Sequence, residues 1–200
     1  MARASSRSLW KAHLEGKDAP SAKTLLLGNQ GQSFRGTIMG IDPSLRGTGV
    51  AIIEYIPGRP PLLLHSETLT NSTKLTQAQC LAHIFQKISE KIEIHEIRTA
   101  ALEETIYVQN YQTAMTMGAV RGALLTALTL ASVDIYQYAP LRIKQAVVGV
   151  GRASKQQMIK TVRGILQHGA DLASDEADAA GAALCHAFTW RGPIQERNPG

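Results

Sequence analysis

The stretch that decides the fold is IMGIDPSLRGTGVAII, residues 38–53. Its two apolar runs predict strands over residues 37–41 and 48–56, joined by a short turn containing proline, serine and glycine. One carboxylate, Asp42, follows the first apolar run directly. Because a buried charge is costly without a cation or hydrogen-bond donors beside it, a strand that ends on aspartate directs attention to further carboxylates that could share a cation with Asp42.

The rest of the chain alternates between strand-like and helix-like patterns. Apolar spacing predicts a strand over 62–69, an amphipathic helix over 74–93 and a buried strand over 98–102 that runs into Glu103 and Glu104. A long helix follows over 110–130 with Asn110 as its cap, then a strand over 133–138, a helix over 154–166 capped by Ser154, and a last helix over 174–190. This order predicts an α/β domain with a mixed five-stranded sheet flanked by helices.

Composition indicates one folded domain with a basic extension. The chain has 200 residues and a net charge of +5, of which +4 lies within residues 1–36. We predict a basic flexible tail over 1–36, one domain over 37–190 and a C-terminal tail over 191–200. Three interpretations of the first tail stay open: a solvated extension, a nucleic-acid-binding arm, or an organelle transit peptide with its Arg/Ser-rich, acid-poor composition.

Other features indicate the compartment. The two cysteines, Cys80 and Cys185, lie far apart and are interpreted as reduced, buried thiols. We expect no membrane span, because apolar runs fall short of the ~18 residues that one needs. The N-terminus lacks the apolar core of a secretory signal. The sequence therefore predicts a cytoplasmic protein, with organelle targeting by the tail as the open alternative.

Four carboxylates occupy positions that could bring them together: Asp42, Glu103, Asp175 and Asp178. Asp175 and Asp178 are three residues apart and so share one helix face. If the first and fourth strands are parallel neighbours, Asp42 and Glu103 emerge at the same sheet edge. Clustered carboxylates repel one another without cations, and oxygen ligands suit Mg²⁺ or Mn²⁺. Two such ions ~4 Å apart are a known device for phosphodiester cleavage.

Ordinary interpretations of the same residues stay open at this point. A single aspartate at a strand end is commonly a turn or cap residue, and Asp175 alone suits the N-terminal turn of a helix. His186, in the last helix, is interpreted as a packed or surface histidine. Only the combination of the carboxylates points to a metal-dependent nuclease.

Four ordered blocks of the sequence resemble the RuvC family of Holliday-junction resolvases, which belong to the RNase H-like nuclease superfamily. GIDPSLRGTG is similar to the family's opening GIDPG-x-x-x-TG, and LEETIYVQNYQTAMTMGAVRGALL to its I/L-E-x-x-F-x-x-x-N…LGxARG segment. YAPLRIKQAVVGVGRASKQQM resembles YxPxxVKxxVxGxGxAxKxQV, and DEADAAGAALCH resembles DAADALAxAxxH. The resemblance covers about three quarters of the chain and leaves out the basic tail.

The resemblance assigns roles to individual residues. It implies that the four carboxylates Asp42, Glu103, Asp175 and Asp178 are catalytic and hold two Mg²⁺ ions, with Mn²⁺ as the alternative ion. It places Lys144 and Lys155 near the scissile phosphate as catalytic and DNA-binding residues. Further DNA-binding positions are Arg121, Arg152 and Tyr107. Ile106 stands where many members of the family carry a stacking aromatic residue, so stacking on a base either falls to Tyr107 beside it or is replaced by an apolar wedge.

The resemblance also implies an activity and partners. It predicts a structure-selective endonuclease that resolves four-way DNA junctions in recombination and repair by two-metal hydrolysis, leaving 5′-phosphate and 3′-hydroxyl ends. A junction with approximate two-fold symmetry suits a homodimer, with the long helix as interface through Ala114, Met117, Gly118 and Val120; core packing is the alternative role of these four residues. A branch-migration helicase complex is a further implied partner. The alternatives are an actin-like nucleotide hydrolase, a non-cutting junction-binding scaffold, and an RNase H-like nuclease acting on RNA.

Overall fold

The computed structural model describes residues 33–104, 110–167, 169 and 172–192. A five-stranded sheet forms its centre. Three strands come first along the chain, β1 (Gly36–Asp42), β2 (Gly47–Tyr55) and β3 (Leu62–Thr70), followed later by β4 (Thr99–Glu103) and β5 (Asp134–Tyr138). The helices are α1 (Gln77–Ile94), α2 (Tyr111–Leu130), α3 (Pro140–Val148), α4 (Lys155–Leu166) and α5 (Ser174–Thr189).

The sheet is mixed, as predicted. Its strand order is β3-β2-β1-β4-β5, with antiparallel pairing of β1 with β2 and of β2 with β3. The pairs β1–β4 and β4–β5 are parallel. The parallel connections require crossover segments, which α1 and α2 supply. Because β1 and β4 are parallel neighbours, their carboxyl ends reach the same edge of the sheet.

Each face of the sheet buries its own apolar cluster. One cluster lies between the sheet and helices α1 and α2, and includes Met39, Ile41 and Ile84. The other lies between the sheet and helices α3, α4 and α5, and includes Ile38, Ile143 and Leu184. Alternate residues of β1 serve the two clusters, as the two-residue repeat of a strand requires. The core also contains Phe34, which packs edge-on against His186 and Trp190.

Two helices begin at the caps that the sequence predicts, and a third helix, α3, was not predicted. Asn110 caps α2 by accepting hydrogen bonds from the backbone N–H groups of Gln112 and Thr113. Ser154 caps α4 in a capping box with Gln157. Helix α3, Pro140–Val148, was not predicted. It is only nine residues long and lacks a side-chain cap, although proline at its start and left-handed Gly149 at its end mark its bounds.

Helix α5 lies unusually close to the sheet. The small residues of this helix, among them Ala179 and Ala183, are fully buried. Opposite them, a Cβ placed on Gly40 of β1 would overlap the carbonyl oxygen of Ala179, and one on Gly49 of β2 would overlap the backbone of Asp175. The glycines therefore allow the backbone of α5 to lie against β1 and β2.

Helix α2 leaves much apolar surface uncovered. Its buried residues are Val120, Leu124, Ala127 and Leu128, whereas Tyr111, Met115 and Leu130 are 77%, 58% and 73% exposed. Val120 is fully buried in the core, so core packing is the correct one of its two alternative roles. By length and composition alone this helix could span a membrane, which differs from the expectation from the sequence, although core helices of soluble proteins and signal sequences pass the same test.

His186 is a core residue surrounded by aromatic rings. Its Nδ1 is hydrogen-bonded to the Tyr138 hydroxyl at 2.8 Å, and its ring centroid lies 4.3 Å from that of Tyr136. Burial lowers the pKa of His186 to about 4. The histidine is therefore neutral in the folded protein at physiological pH, and of the two earlier interpretations the packed histidine is correct.

We expect His186 to make folding sensitive to mild acid. Its folded pKa lies below the ordinary value of 6.5, so the unfolded chain binds more protons between pH 6.5 and pH 4 and stability is lost as the pH falls through that range. The expected contribution is roughly 2–3 kcal/mol. Because the raised pKa of Asp42 shifts stability in the opposite direction over the same range, the loss must be measured as a difference between two proteins. From pH 7 to pH 4.5, urea unfolding of the wild type should lose this amount of stability relative to His186→Gln. Equal changes in the two proteins would contradict the assignment.

Candidate active site

Two of the predicted carboxylates stand side by side at one edge of the sheet. Asp42 is the last residue of β1, and Glu103 is the last residue of β4. The register of these parallel strands pairs Ile41 with Leu102, so the two carboxylates follow equivalent positions. Both side chains are partly buried. The carboxyl ends of adjacent parallel strands are where open α/β sheets place their functional groups.

Helix α5 brings the other two carboxylates to the same edge. Asp175 and Asp178 lie in its N-terminal half, and the close contact with Gly49 fixes this end of the helix over β2. Asp178 lines the pocket that Asp42 and Glu103 also line. Asp175 is not among the lining residues; its carboxylate points towards Gly47, at the start of β2.

The pocket has a volume of about 310 Å³ and combines acidic, basic and apolar walls. Its basic wall consists of Lys144 from α3 and Lys155 from the first position of α4. The Lys155 ammonium lies 3.5 Å from a carboxylate oxygen of Asp178, and 60% of its side chain is exposed. The apolar wall is formed by Pro140, Ile143 and Met158. An exposed cation beside an acidic pocket can contact a phosphate that enters it.

The carboxylates of the pocket disfavour one another's ionisation. Burial, followed by the charges of Glu103, Asp178 and Asp175, raises the pKa of Asp42 to about 7, against a smaller opposing effect of Lys155. Burial and Asp178 likewise raise the pKa of Glu103. Burial raises the pKa of Asp178 too, with Lys155 opposing it. Such perturbed groups in one cleft are typical of functional sites, because structure alone gains nothing from the repulsion.

The donor set is chemically uniform. Asp42, Glu103 and Asp178 offer only carboxylate oxygens, and the nearest basic groups are lysines. Within the described ranges, groups of three or more acidic, histidine or cysteine side chains are not drawn together closely enough to form a ready-made coordination shell. The residues fit a hard divalent cation in charge and in ligand type, because a cation would offset the repulsion that raises the pKa of Asp42.

The other predicted site residues lie outside the pocket. Arg152 is exposed in the turn between α3 and α4, and Arg121 lies on α2, in the layer on the opposite face of the sheet from α5. Tyr107 and Ile106 fall outside the described residues. Their roles stay predictions.

The pocket also contains residues that the sequence did not single out. Ile143 and Met158 pack behind it, and each belongs to the buried face of its helix. Their helical periodicity could have identified them as core residues, but not as neighbours of Asp42.

A mixed five-stranded sheet with acidic residues at the ends of β1, β4 and the start of α5 defines the class of RNase H-like α/β proteins. The sequence profile described as Crossover junction endodeoxyribonuclease RuvC matches residues 38–186. Relatives of that name include one from Halorhodospira halophila, 40% identical over 163 residues, which cover 82% of this chain and 96% of the relative. Another, from Hyphomonas neptunium, is 37% identical over 75% of this chain and 89% of its own.

A solved structure extends the comparison to the fold. Thermus thermophilus RuvC in complex with a Holliday junction substrate superposes with a TM-score of 0.73 at 30% identity, covering 76% of this chain and 93% of that one. The matched region contains every residue that lines the pocket. This chain belongs to the RuvC family.

Proposed function

We propose that this protein is a structure-selective DNA endonuclease that cuts four-way junctions by metal-dependent hydrolysis of phosphodiester bonds. The observation that carries the proposal is the pocket in which Asp42, Glu103 and Asp178 meet Lys144 and Lys155. Such a pocket can hold cations on its acidic side and a phosphate on its basic side. The family to which the chain belongs is described as a crossover junction endodeoxyribonuclease.

We assign the ligand role to Asp42, Glu103, Asp175 and Asp178, and two Mg²⁺ ions, or Mn²⁺ in their place, to the site. When bound, such ions activate the attacking water and stabilise the leaving 3′ oxygen, which gives 5′-phosphate and 3′-hydroxyl ends. Asp42 and Glu103 are the last residues of two paired strands. Asp178 lies on a helix whose backbone packs against glycines of the sheet. The ligands are thereby held on rigid elements, which favours a fixed geometry at the phosphate.

The two lysines of the pocket stabilise negative charge on the phosphate. The Lys155 side chain is more than half exposed although its ammonium lies beside Asp178, so that ammonium can also pair with a phosphate oxygen. Lys144 faces the same pocket from α3. As negative charge grows on the phosphate in the transition state, nearby cations stabilise it. Arg121, Arg152 and Tyr107 are proposed as DNA contacts farther from the scissile bond.

The test is incubation of the purified protein with a synthetic four-way DNA junction, with Mg²⁺ or with chelator. We expect paired incisions near the branch point with Mg²⁺ and none with chelator. Linear duplex DNA is the control for structure selectivity. Absence of cleavage would favour the junction-binding scaffold, and faster cleavage of structured RNA would favour the RNA-acting alternative. The family assignment excludes the actin-like nucleotide hydrolase.

We also propose that the protein acts as a homodimer through α2. The exposed apolar side chains of this helix, Tyr111, Met115 and Leu130, need a cover, and Ala114 and Gly118 lie exposed beside them. Large uncovered apolar patches commonly mark interfaces. A second copy would present a second pocket, which suits a substrate with two strands to cut. A branch-migration helicase as partner, and action in the bacterial cytoplasm, belong to the same proposal.

Met115→Glu is expected to weaken dimerisation roughly 100-fold, because it buries a charge in an apolar contact. Analytical ultracentrifugation over a range of protein concentrations measures the effect. Leu62→Glu, at a residue 54% exposed on β3, is the matched control and should leave the dimer unchanged. A wild-type monomer at all concentrations, or a dimer that tolerates Met115→Glu, would exclude α2 as the interface.

A further inference from the structure

The start of α5 lacks the side-chain cap that α1, α2 and α4 have. Helices α1 and α4 each begin with a capping box, in which serine or threonine and a glutamine exchange hydrogen bonds with the backbone. Helix α5 begins after Ala173 and has no side-chain cap. An uncapped first turn frays more readily, because its backbone N–H groups lack partners. Yet this turn carries Asp175 and precedes Asp178, so its position matters to the site.

A hydrogen bond from another element secures this turn. The Ser66 hydroxyl, on β3, donates to a carboxylate oxygen of Glu176 at 2.8 Å, and both residues are partly buried. Ser66 pairs with Ala51 across β2 and β3, on the face of the sheet that α5 covers. The bond therefore joins the edge strand to the first turn of α5. Glu176 stands where the pattern DAADALAxAxxH has alanine, so the family pattern assigns it no role.

The charges nearby explain why such a bond is useful. Asp178 lines the same pocket as Asp42 and Glu103, so like charges from α5 and from the ends of β1 and β4 meet there, and their repulsion pushes the start of α5 outward. The backbone contact between Gly49 and Asp175 limits movement towards the sheet, but it does not prevent movement away from it. The Ser66–Glu176 bond opposes that outward movement.

We propose that Glu176 is a positioning residue: its hydrogen bond from Ser66 holds the first turn of α5, and with it Asp175 and Asp178, in place against mutual repulsion of the carboxylates. Glu176 acts through the geometry of its neighbours and not as a ligand. The inference rests on the proposed function for its effect on cleavage, but the hydrogen bond and its effect on the helix do not depend on that function.

The first measurement is hydrogen exchange of the full-length protein in chelator, without DNA. The reporter is the segment around Ala177, whose N–H donates to the Ala173 carbonyl oxygen in the first turn. Ser66→Ala and Glu176→Ala should each speed exchange there roughly three- to tenfold, the factor that one hydrogen bond contributes. The double variant should exchange no faster than either single variant, because both remove the same bond.

Glu176→Gln separates the hydrogen bond from the charge. The glutamine oxygen can still accept from Ser66, so this variant should exchange like the wild type. Thr70→Ala is the control on the same strand, since Thr70 is exposed and its hydroxyl donates to the Thr68 carbonyl oxygen of the same strand. Exchange in Glu176→Gln as fast as in Glu176→Ala, or unchanged exchange in Ser66→Ala, would overturn the proposal.

The second measurement is junction cleavage over a range of Mg²⁺ concentrations. Glu176→Ala and Ser66→Ala should raise the half-saturating Mg²⁺ concentration several-fold with little change in the maximal rate, because bound cations would restore the position of the turn. Glu176→Gln should behave as the wild type does. A fall in the maximal rate without a change in Mg²⁺ dependence contradicts positioning. If the wild type does not cut at all, the proposed function fails while the exchange results still decide the role of Ser66 and Glu176.

Discussion

Asp42→Asn is expected to lower junction cleavage in Mg²⁺ by roughly three orders of magnitude or more, while junction binding changes less than about threefold. The amide keeps the size of the side chain but loses the negative charge and half of the oxygen donors of a carboxylate. Since Asp42 lies among Glu103, Asp178 and the two pocket lysines, this change removes a central ligand and leaves the basic wall for DNA intact.

The same substitution should stabilise the metal-free protein. The pKa of Asp42 is raised from 3.8 to about 7, so its contribution to stability is fully present below pH 4 and is lost as the pH rises through about 7. At pH 8 in chelator, Asp42→Asn should therefore unfold at higher urea concentration than the wild type. We expect its free energy of unfolding to be higher by roughly 2 kcal/mol. Loss of function with gain of stability is the signature of a functional charge, because a structural carboxylate would lose both.

Asp134→Asn is the matched control. Asp134 is exposed at the first residue of β5, at the opposite end of that strand from the edge that carries Glu103. This variant should cleave as the wild type does and show no gain in stability in chelator. Cleavage by Asp42→Asn at the wild-type rate would remove Asp42 from the site, whatever the stability data show.

Much of the fold followed from local patterns. The two apolar runs of residues 38–53 predict two strands joined by a tight turn, and in the structure successive residues of the first strand, Ile38 and Met39, face opposite cores. The caps Asn110 and Ser154 predict where two helices begin, because their side-chain oxygens satisfy free backbone N–H groups. The sequence did not predict helix α3 because this helix is short: its nine residues, a mixture of apolar and basic side chains, span barely more than two turns.

The site could be predicted only where the position of a residue along its strand or helix determines its place in the fold. Asp42 and Glu103 end parallel neighbouring strands, so their proximity follows once the strand order is given. The bond between Ser66 and Glu176 spans 110 residues of sequence and has no periodic signal. The orientation of Asp175 towards Gly47, away from the pocket walls, likewise depends on how α5 lies on the sheet. Such contacts are set by packing between distant segments, which local patterns do not encode.

Gly40→Ala is expected to destabilise the protein by roughly 3 kcal/mol or more, and to abolish cleavage with it. A methyl group there would overlap the carbonyl oxygen of Ala179, and a backbone atom cannot move aside as a flexible side chain can. Helix α5 would have to lift from β1, which would carry Asp178 away from Asp42. Urea unfolding and junction cleavage measure the two effects.

Gly164→Ala, in α4, is the control that separates the contact from the chemistry of the substitution. Space around Gly164 is open, so the same change should raise stability by about 0.5–1 kcal/mol through the better helix propensity of alanine. The two substitutions therefore have opposite expected signs although they add the same methyl group. If Gly40→Ala folded and cut as well as Gly164→Ala, α5 would not depend on close backbone contact with β1, and the placement of Asp178 would need another explanation.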